Sequence, residues 1–252
     1  MPTPTAEFDA YAACYAGGME DPVKQMFGPS LEAFLQRKVN WLLRHLRGQG
    51  CLRLLDFGCG TADFLRLLQA GRFDGTLDGF DASAEMIAEA RRRWTGGPPP
   101  RLLADASGKL PYPDRSFDVI VACCVFHHIM PPERPAAYRE LARVLAPGGR
   151  LFVFEHNPWN PVTSFIVKRA PIDRNAVLLS SVEAKRGLRA AGLTPERIDY
   201  LLFFPLWVPA GETTERLLFA KLPLGGQYVT VGRKAVSVRC GPTCSPAVHP
   251  IR

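Results

Sequence analysis

Long apolar runs and paired cysteine motifs are missing from this sequence, and each absence excludes a class of protein. No stretch approaches the roughly 20 apolar residues that a membrane-spanning helix needs. The opening residues MPTPTAEFDAY contain no apolar core of a signal peptide, so we expect a cytoplasmic protein. The seven cysteines are an odd number without a C-x-x-C pair, which indicates neither a disulfide framework nor a zinc site.

A basic stripe is also missing, although the net charge is +7 and the isoelectric point is near 9.2. The basic residues are scattered, and Arg91–Arg93 close a predicted helix, where cations offset the helix dipole. This pattern predicts a solvated surface and no nucleic-acid partner, while an anionic small substrate stays compatible with it. A chain of 252 residues, 47% hydrophobic and 22% charged, suits one globular domain with a cap.

The most informative stretch runs from Leu52 to Phe64. An apolar run ends at Asp56, a turn with Gly58 and Gly60 follows, and a helical pattern then begins. Buried parallel strands are continuous apolar runs, and ligands bind where such strands end. Glycine lacks a Cβ, so a ligand can approach this turn closely. The stretch therefore predicts a binding site for a small molecule.

The spacing of this turn selects among ligands. A dinucleotide fingerprint reads G-x-G-x-x-G, whereas this turn reads D-x-G-x-G. An acid two residues before the first glycine would repel a phosphate but suits the ammonium end of an amino-acid-like ligand. The pattern resembles the first motif of the class I S-adenosylmethionine-dependent methyltransferases. It departs from that motif at Ala62, where the family usually has a third glycine.

A second strand end supplies another acid. Gly75 to Phe80 predicts a strand that ends at Asp81, about 20 residues past the glycine turn. An acid at this place can accept hydrogen bonds from both ribose hydroxyls of a cofactor; the alternative is an aspartate that caps the next helix. We also assign Ala82 and Met86 to the cofactor site, with Met86 against the adenine.

Two later stretches carry the same family resemblance. Leu110 to Val121 reads LPYPDRSFDVIV and is similar to the L-P-F-P-D-x-S-F-D-V-V stretch before the family's fourth strand. Leu145–Gly149 matches its Leu-x-Pro-Gly-Gly turn, so the resemblance covers roughly residues 50–156. It implies that Asp105 binds the adenine amino group, that Ala106 lies beside the ring, and that Cys123 contacts the cofactor.

The resemblance also implies the fold. We expect an α/β protein with a Rossmann-like, doubly wound sheet of seven strands, mostly parallel with the last strand antiparallel. The expected units are a helical N-terminal cap (1–47), a methyltransferase domain (48–235) and a flexible tail (236–252). The long connection 157–179 contains no predicted element and is typical of a lid or a binding segment.

One helix of the cap can be placed. Ser30 as N-cap, an apolar stripe and Gly48 after the end predict a helix from Leu31 to Leu46. In the resembled family such helices lie over the cofactor and close the substrate pocket; the alternative for the stripe is plain packing against the sheet. Tyr11 and Tyr15 are our candidates for reaching the cofactor or the substrate, and Tyr15 is assigned to the cofactor.

Candidate catalytic residues follow the fourth and fifth strands. His127 and His128 come just after the fourth strand, and imidazole titrates near neutrality, so either could be a general base. Paired histidines are common at this place in the family with different acceptors, so a structural role is the alternative. Glu155 and His156 leave the neighbouring strand and complete the catalytic set. No pair of acids is evident at a metal-binding spacing, so we expect no metal.

These observations predict a methyltransferase that uses S-adenosyl-L-methionine and acts on a small molecule, with O-methylation favoured. The expected acceptor is anionic or aromatic, and the chain is expected to be a monomer or homodimer without nucleic-acid or membrane partners. The alternatives are a methyltransferase of nucleic acid or protein, or a non-catalytic scaffold that binds the cofactor.

Overall fold

The computed structural model describes residues 8, 9, 11, 12, 28, 30–95 and 97–236. Its centre is a seven-stranded sheet in the order β3-β2-β1-β4-β5-β7-β6. The strands β1 to β5 run parallel, and β7 lies antiparallel between β5 and β6. This confirms the predicted fold class. The strands are β1 Leu52–Phe57, β2 Gly75–Asp81, β3 Arg101–Ala104, β4 Phe117–Cys123, β5 Leu145–His156, β6 Leu193–Leu201 and β7 Gln227–Lys234.

Helices cover both faces of the sheet. Their N-termini are set by local sequence: the side chains of Ser30, Ser83 and Ser180 each accept a hydrogen bond from the first turn that they cap. A 3₁₀ turn at Pro171–Asp173 and a π-helical turn at Glu215–Phe219 complete the helical segments described here. The α-helices are α1 Leu31–Leu46, α2 Asp63–Ala70, α3 Ala84–Arg93, α4 Arg134–Val144, α5 Pro161–Arg169, α6 Ser181–Ala190 and α7 Gly211–Thr214.

The core has two parts, one on each face of the sheet. On one face, residues of α4 and α6 pack against the sheet around Tyr138 and Leu188. On the other face, α1, α2 and α3 pack around Leu42, Leu65 and Phe152. The central strands are therefore buried on both sides, which explains why their sequences are continuous apolar runs.

Helix α1, the described part of the predicted cap, is docked firmly on the sheet. The Trp41 ring lies edge-on to Phe154, with centroids 5.7 Å apart, and its indole N–H donates to Asp199 Oδ2 at 3.2 Å. The remaining cap residues up to position 29 lie mostly outside the described part, as do residues 237–252 of the predicted tail. The described helices include none that is long and apolar enough to cross a membrane.

Four local expectations differ from the structure. The 157–179 connection contains α5, because Asn160 caps it and Pro161 opens it, a signal that the prediction overlooked. Pro147–Gly149 forms a bulge inside a strand that already begins at Leu145, not a turn before it. The sequence pattern predicts a strand from Ile198 to Phe204, whereas β6 begins and ends earlier. It predicts one helix from Thr213 to Leu222, whereas the structure splits this segment into α7 and a π-helical turn.

Candidate active site

A cavity of about 440 Å³ opens at the edge of the sheet where β1, β2, β4 and β5 end. The strand order reverses between β1 and β4, and ligands of open α/β sheets bind at such a switch point. The glycine turn and β2 line one side, and α1 and α5 line the other. Of the predicted site residues, the cavity is lined by Gly58, Gly60, Asp81, Ala82, Met86, Cys123, His127, His128 and His156.

The glycine turn brings its backbone close to neighbouring elements. Gly58 has φ +74°, and a Cβ there would lie 2.4 Å from Val125 Cγ2, so only glycine fits. Ala62, at the place of the family's third glycine, also takes a left-handed conformation, with φ 60°. This conformation costs a non-glycine residue about 1 kcal/mol or more. The departure from the motif is therefore accommodated with some backbone strain.

Asp81 is fixed at the end of β2 by two backbone donors. Its Oδ2 accepts from the Gly60 N–H at 2.8 Å, and its Oδ1 accepts from the Ser83 N–H at 2.9 Å. Burial raises the pKa of this carboxyl. Each carboxylate oxygen has a second lone pair, so the side chain can still accept hydrogen bonds from a ligand in the cavity. Its rotamer is set before any ligand arrives.

Asp56 lies beneath the glycine turn and does not line the cavity. It is 1% exposed, and its Oδ1 has no hydrogen-bond partner in the described part of the chain. Burial and the nearby Asp81 carboxylate raise its pKa to about 8, and Lys38 opposes that shift. A buried polar atom without a partner is rare and costly. The predicted contact of Asp56 with a cofactor ammonium therefore stays a prediction.

Two predicted adenine contacts do not line the cavity, and one predicted tyrosine lies outside the described residues. Asp105 and Ala106 follow β3 beside Asp81 but are not among the residues that line the cavity. The Asp105 Oδ1 instead accepts from the Ser107 N–H at 2.7 Å, which lowers the pKa of the Asp105 carboxyl. Tyr15 lies outside the described residues. The roles of these three residues stay predictions.

Glu155 holds His127 from below. The Glu155 side chain is fully buried, and its Oε2 lies 2.6 Å from His127 Nδ1. Its other oxygen accepts from the Phe126 N–H at 2.7 Å. Burial lowers the pKa of His127, but the Glu155 carboxylate and Asp173 more than reverse that shift and raise it to about 10. Glu155 does not reach the cavity, so it is a positioning residue for a charged imidazole.

Asp173 joins the two histidines and was missed in the sequence. Its Oδ1 lies 3.4 Å from His127 Nε2 and 3.5 Å from His128 Nε2. Burial and the charged His127 lower the pKa of His128 to about 3. No spacing in the sequence links Asp173 to the histidines, because it belongs to the 3₁₀ turn after α5. Only the fold of the 157–179 connection brings it to the cavity.

The same three groups could hold a metal ion. One ligand atom from each of His127, His128 and Asp173 lies within 4.8 Å of the others. The hydrogen bond from His127 to Glu155 is of the kind that orients metal-ligating histidines. The set offers a single carboxylate, however, and His127 bridges Glu155 and Asp173 as a cation would. The sequence predicts no metal, and this absence stays a prediction that a chelator can test.

Lys38 is a second missed residue. It lies on α1, lines the cavity and is only 3% exposed. In the sequence it interrupts the apolar stripe between Leu35 and Leu42. A charged residue inside an apolar stripe indicates a functional position, so this interruption could have identified Lys38. Its Nζ lies 3.3 Å from Cys123 Sγ and 3.2 Å from Cys124 Sγ. A hydrogen bond from Cys123 and the Lys38 charge lower the pKa of the Cys124 thiol.

The half of the cavity away from the glycine turn is apolar. Lys38 is the only lysine or arginine among its described lining residues, so Lys168, Arg169 and Arg174 do not face the space. His156 lies at its floor, with its ring centroid 5.1 Å from that of His127. The apolar lining comes from α1, α5, the 3₁₀ turn and the segment after β6: Leu31, Phe34, Leu35, Val162, Ile166, Val167, Ile172, Leu202 and Phe203.

The sheet order, the glycine turn and the acid at the end of β2 define a Rossmann-like domain built to bind an adenosyl cofactor. Comparisons with known proteins make this specific. A family model described as a methyltransferase domain matches residues 54–149. The chain is 34% identical, over 177 residues, to 27-O-demethylrifamycin SV methyltransferase of Amycolatopsis mediterranei, covering 66% of this chain and 63% of the relative.

Two further likenesses agree. Demethylmenaquinone methyltransferase of Thermus thermophilus is 37% identical over 107 residues, which are 42% of this chain and 48% of the relative. The magnesium protoporphyrin IX methyltransferase structure from Synechocystis with bound S-adenosylmethionine has the same fold at 15% identity, with a TM-score of 0.62 over 92% of this chain and 99% of that one. The matched segments span about half to 63% of the length of these two curated relatives. The chain contains a methyltransferase domain, and its sheet has the fold of class I S-adenosylmethionine-dependent methyltransferases.

The cofactor of this family is S-adenosylmethionine. The first test of the site concerns the predicted contact between Asp81 and the ribose of this cofactor. Replacing Asp81 by alanine should weaken S-adenosylhomocysteine binding about 100-fold, because hydrogen bonds to a charged group are each worth about 1.5–3 kcal/mol. Calorimetric titration measures this change. Asp74→Ala, an exposed acid just before β2, is the control and should bind as the wild type does. Equal affinity of Asp81→Ala and wild type would remove Asp81 from the cofactor site.

Proposed function

We propose that the protein transfers the methyl group of S-adenosylmethionine to a hydroxyl oxygen of a small, largely apolar molecule. One observation carries this proposal. The cofactor side of the cavity and its apolar side meet at His128 and Asp173, where a hydroxyl could lose its proton. The names of the two curated relatives also specify small acceptors, a demethylrifamycin and a demethylmenaquinone.

The cofactor side of the cavity offers a set of contacts that fits S-adenosylmethionine. We assign the ribose hydroxyls to Asp81, the ammonium to Asp56 and the adenine to Met86, with Asp105 and Ala106 at its outer edge. Gly58 and Gly60 have no side chains, so the ligand can lie against their backbone. Ala82 and Cys123 line the same part of the cavity. The bound cofactor supplies an electrophilic methyl group on a sulfonium. All other parts of the mechanism belong to side chains of this protein.

His128 is the proposed proton acceptor. Its ring lines the cavity, and its lowered pKa keeps it neutral at physiological pH, so a ring nitrogen is free to accept a hydrogen bond from a substrate hydroxyl. The Asp173 carboxylate, 3.5 Å from His128 Nε2, stabilises the imidazolium that forms when the hydroxyl proton arrives. His127, charged and held by Glu155, fixes Asp173 from the other side. His156 lies beside His127 and contributes to the same polar floor.

Placement supplies most of the remaining acceleration. The apolar walls from α1 and α5 exclude water and hold the acceptor against the methyl donor. Holding two reactants in line is worth roughly 7–11 kcal/mol in favourable cases. The walls also favour an acceptor with a broad apolar or aromatic surface over an anionic one, because α5 contributes no lysine or arginine to the described lining.

Two other functions make different demands on this cavity. A methyltransferase of nucleic acid or protein needs an open, charged approach, but apolar side chains of α1 and α5 flank this cavity. A non-catalytic scaffold needs the cofactor contacts alone and gives no reason for a buried Glu155–His127 pair beside Asp173. Catalysis of methyl transfer to a small molecule accounts both for the cofactor contacts and for the Glu155–His127 pair beside Asp173.

The test is a methyl-transfer assay with radiolabelled S-adenosylmethionine and a panel of apolar acceptors. Each hydroxylated acceptor is paired with its O-methylated form and with its amino analogue. We expect label in products of the hydroxylated compounds only, with activity that changes little between 50 and 500 mM salt. Transfer to RNA or protein, with activity that falls steeply as salt rises, would instead establish the macromolecular function. Tight cofactor binding without transfer to any acceptor would support the scaffold.

A further inference from the structure

Two adjacent cysteines at the end of β4 direct their sulfur atoms to the same point. Successive side chains along a strand normally lie on opposite faces of the sheet. Cys123 is the last residue of β4, and Cys124 takes a left-handed conformation with φ 59°. Both sulfur atoms lie close to one atom of α1, since Lys38 Nζ is 3.3 Å from Cys123 Sγ and 3.2 Å from Cys124 Sγ. A left-handed conformation is unfavourable for a residue other than glycine, and such strain is concentrated at functional sites.

Lys38 is a buried cation that contacts these two sulfur atoms. It is 3% exposed, and the described residues place no carboxylate within ion-pair distance of its Nζ. Burial alone would lower the pKa of Lys38, but the two cysteines more than reverse this shift and raise it. A buried charge needs an anionic partner. The anion that the described residues can offer at this distance is a thiolate.

Cys124 is better placed than Cys123 to be this thiolate. The hydrogen bond from the Cys123 thiol lowers the pKa of Cys124; burial opposes this shift, and the charge of Lys38 adds to it. The same hydrogen bond and burial raise the pKa of Cys123, so Cys123 keeps its proton. Both cysteines are half-buried and line the cavity, so a small reagent can reach them.

The other groups around the two sulfur atoms agree with this assignment. His156, at the end of β5, also lowers the pKa of Cys124, and Gln227 Nε2, at the start of β7, lies 3.8 Å from its sulfur. Asp56 of β1 raises the pKa of Cys123. The titratable groups that face Cys124 in the described part of the chain are Lys38, Cys123, His127, His128 and His156.

We propose that these cysteines form a peroxide-sensitive dithiol in the cavity, with Cys124 as the thiolate paired with Lys38 and Cys123 as the resolving thiol. The Cys124 sulfur attacks hydrogen peroxide: an S–O bond forms, the O–O bond breaks and hydroxide leaves, which gives a sulfenic acid. The Cys123 thiol then attacks this sulfur. The S–S bond forms, the S–O bond breaks, and the hydroxyl leaves with the Cys123 proton as water. The two sulfur atoms together supply the two electrons that reduce the peroxide.

The disulfide removes the anion beside Lys38 and leaves a buried cation without its partner. Reduction by a thiol restores the pair, so the modification is reversible. The proposal uses the cavity but no methyl transfer, and it is tested on the protein without ligand. Its failure would leave the proposed function untouched, and the reverse also holds.

The first test measures the rate at which iodoacetamide alkylates each cysteine between pH 6 and pH 8, by mass spectrometry of the labelled peptides. The thiolate is the reactive form, so labelling of Cys124 should change less than about threefold over this interval. The rate at the exposed Cys51, the internal control, should rise roughly 50- to 100-fold, as expected of a free cysteine. Lys38→Met should make the rate at Cys124 rise at least about tenfold over the same interval, and Lys38→Arg should keep it nearly constant.

The second test treats the protein with one equivalent of hydrogen peroxide. The wild-type peptide that contains both cysteines should lose two hydrogens, form no adduct with dimedone and regain its thiols with dithiothreitol. Cys123→Ser should stop at the sulfenic acid, which dimedone traps on Cys124. Cys124→Ser should give neither product, and Cys51→Ser should behave as the wild type does. Thermal unfolding checks that each variant is folded.

Three results would overturn the proposal. The first is labelling of wild-type Cys124 that rises with pH in parallel with Cys51, a result that needs no variant. The second is labelling of Cys124 in folded Lys38→Met that is as constant as in the wild type, because Lys38 would then not hold the thiolate. The third is peroxide-treated wild type in which Cys124 keeps a dimedone-reactive sulfenic acid, because Cys123 would then not resolve it.

Discussion

Replacing His128 by alanine is expected to lower the turnover of methyl transfer by about 10²- to 10⁴-fold, the range of general base catalysis. The expected affinity for S-adenosylhomocysteine is unchanged, because Asp81 and the glycine turn lie on the other side of the cavity. Turnover at saturating cofactor and acceptor measures the first effect, and calorimetry measures the second.

The pH dependence of turnover follows from the surroundings of His128. The ring is the neutral imidazole of the cluster, because burial and the positive charge of His127 hold its pKa near 3. A lowered pKa means that the neutral form persists as the pH falls from 7 to 5. Turnover of the wild type should therefore not show the loss near pH 6.5 that an unperturbed histidine base would cause.

Two variants and one reagent complete this test. His128→Gln keeps a polar side chain but takes no proton, so it should be as slow as His128→Ala; recovery of turnover in the glutamine variant would reduce His128 to a positioning residue. Asp173→Asn should lose turnover to a similar extent.

Incubation with a chelator should leave the wild-type rate unchanged. A rate that the chelator abolishes and a divalent metal restores would show that His127, His128 and Asp173 hold a metal.

The fold could be predicted because its signals are local and repeated. Each strand of the cofactor half is a short apolar run with a small or acidic residue near its end, and Ser83 and Ser180 cap two of the helices. The strand order follows from the family resemblance of the glycine turn and of the run from Leu110 to Val121.

Of the polar cluster, the sequence could place only the residues that lie at the ends of strands. His127 and His128 come directly after β4 and Glu155 ends β5, so the parallel sheet alone places them together. Asp173 reaches them through α5 and a 3₁₀ turn, whose path depends on tertiary packing. Asn157 shows the same dependence. Its amide donates to the carbonyls of Pro223 and Gly225 and so ties this connection to the start of β7.

The apolar stripe of α1 has two roles that the sequence does not distinguish: packing in the core and lining the cavity. Leu42 and Leu46 of α1 are buried in the core, whereas Leu31, Phe34 and Lys38 line the cavity. A packing helix and a binding helix have the same apolar periodicity, so periodicity cannot separate the two tasks. The charged residue inside the stripe can separate them, because a lysine in a packing interface would have no partner.

Glu155→Gln is expected to destabilise the protein by about 3–5 kcal/mol at pH 6, the cost of breaking a buried ion pair. The pair is fully enclosed, with Glu155 Oε2 2.6 Å from His127 Nδ1 and both side chains at most 1% exposed. Glutamine keeps the shape and can still accept from the Phe126 N–H, so the change removes mainly the charge. Urea unfolding at fixed pH measures the difference in free energy.

The pH dependence identifies the cause of this loss. The pKa of His127 is about 10 in the folded protein and near 6.5 in the unfolded chain. A raised pKa means that the folded state binds the proton more tightly. The stabilisation is therefore complete below about pH 6.5 and is lost as the pH rises toward 10. The stability difference between wild type and Glu155→Gln should shrink over this interval.

A control acid distinguishes the buried pair from a general effect of charge. Glu183→Gln changes the capping box of α6 at the surface, and its cost should stay below about 1 kcal/mol at every pH from 6 to 10, because glutamine also serves at this position of a capping box. A Glu155→Gln deficit that is constant over the same range would mean that His127 is neutral in the folded protein. The His127 ring would then be a hydrogen-bonded spacer, and Asp173 would have no fixed cation beside it. The proposed role of Asp173 as the partner of His128 depends on that cation, so this stability measurement tests the catalytic cluster without an acceptor or a turnover assay.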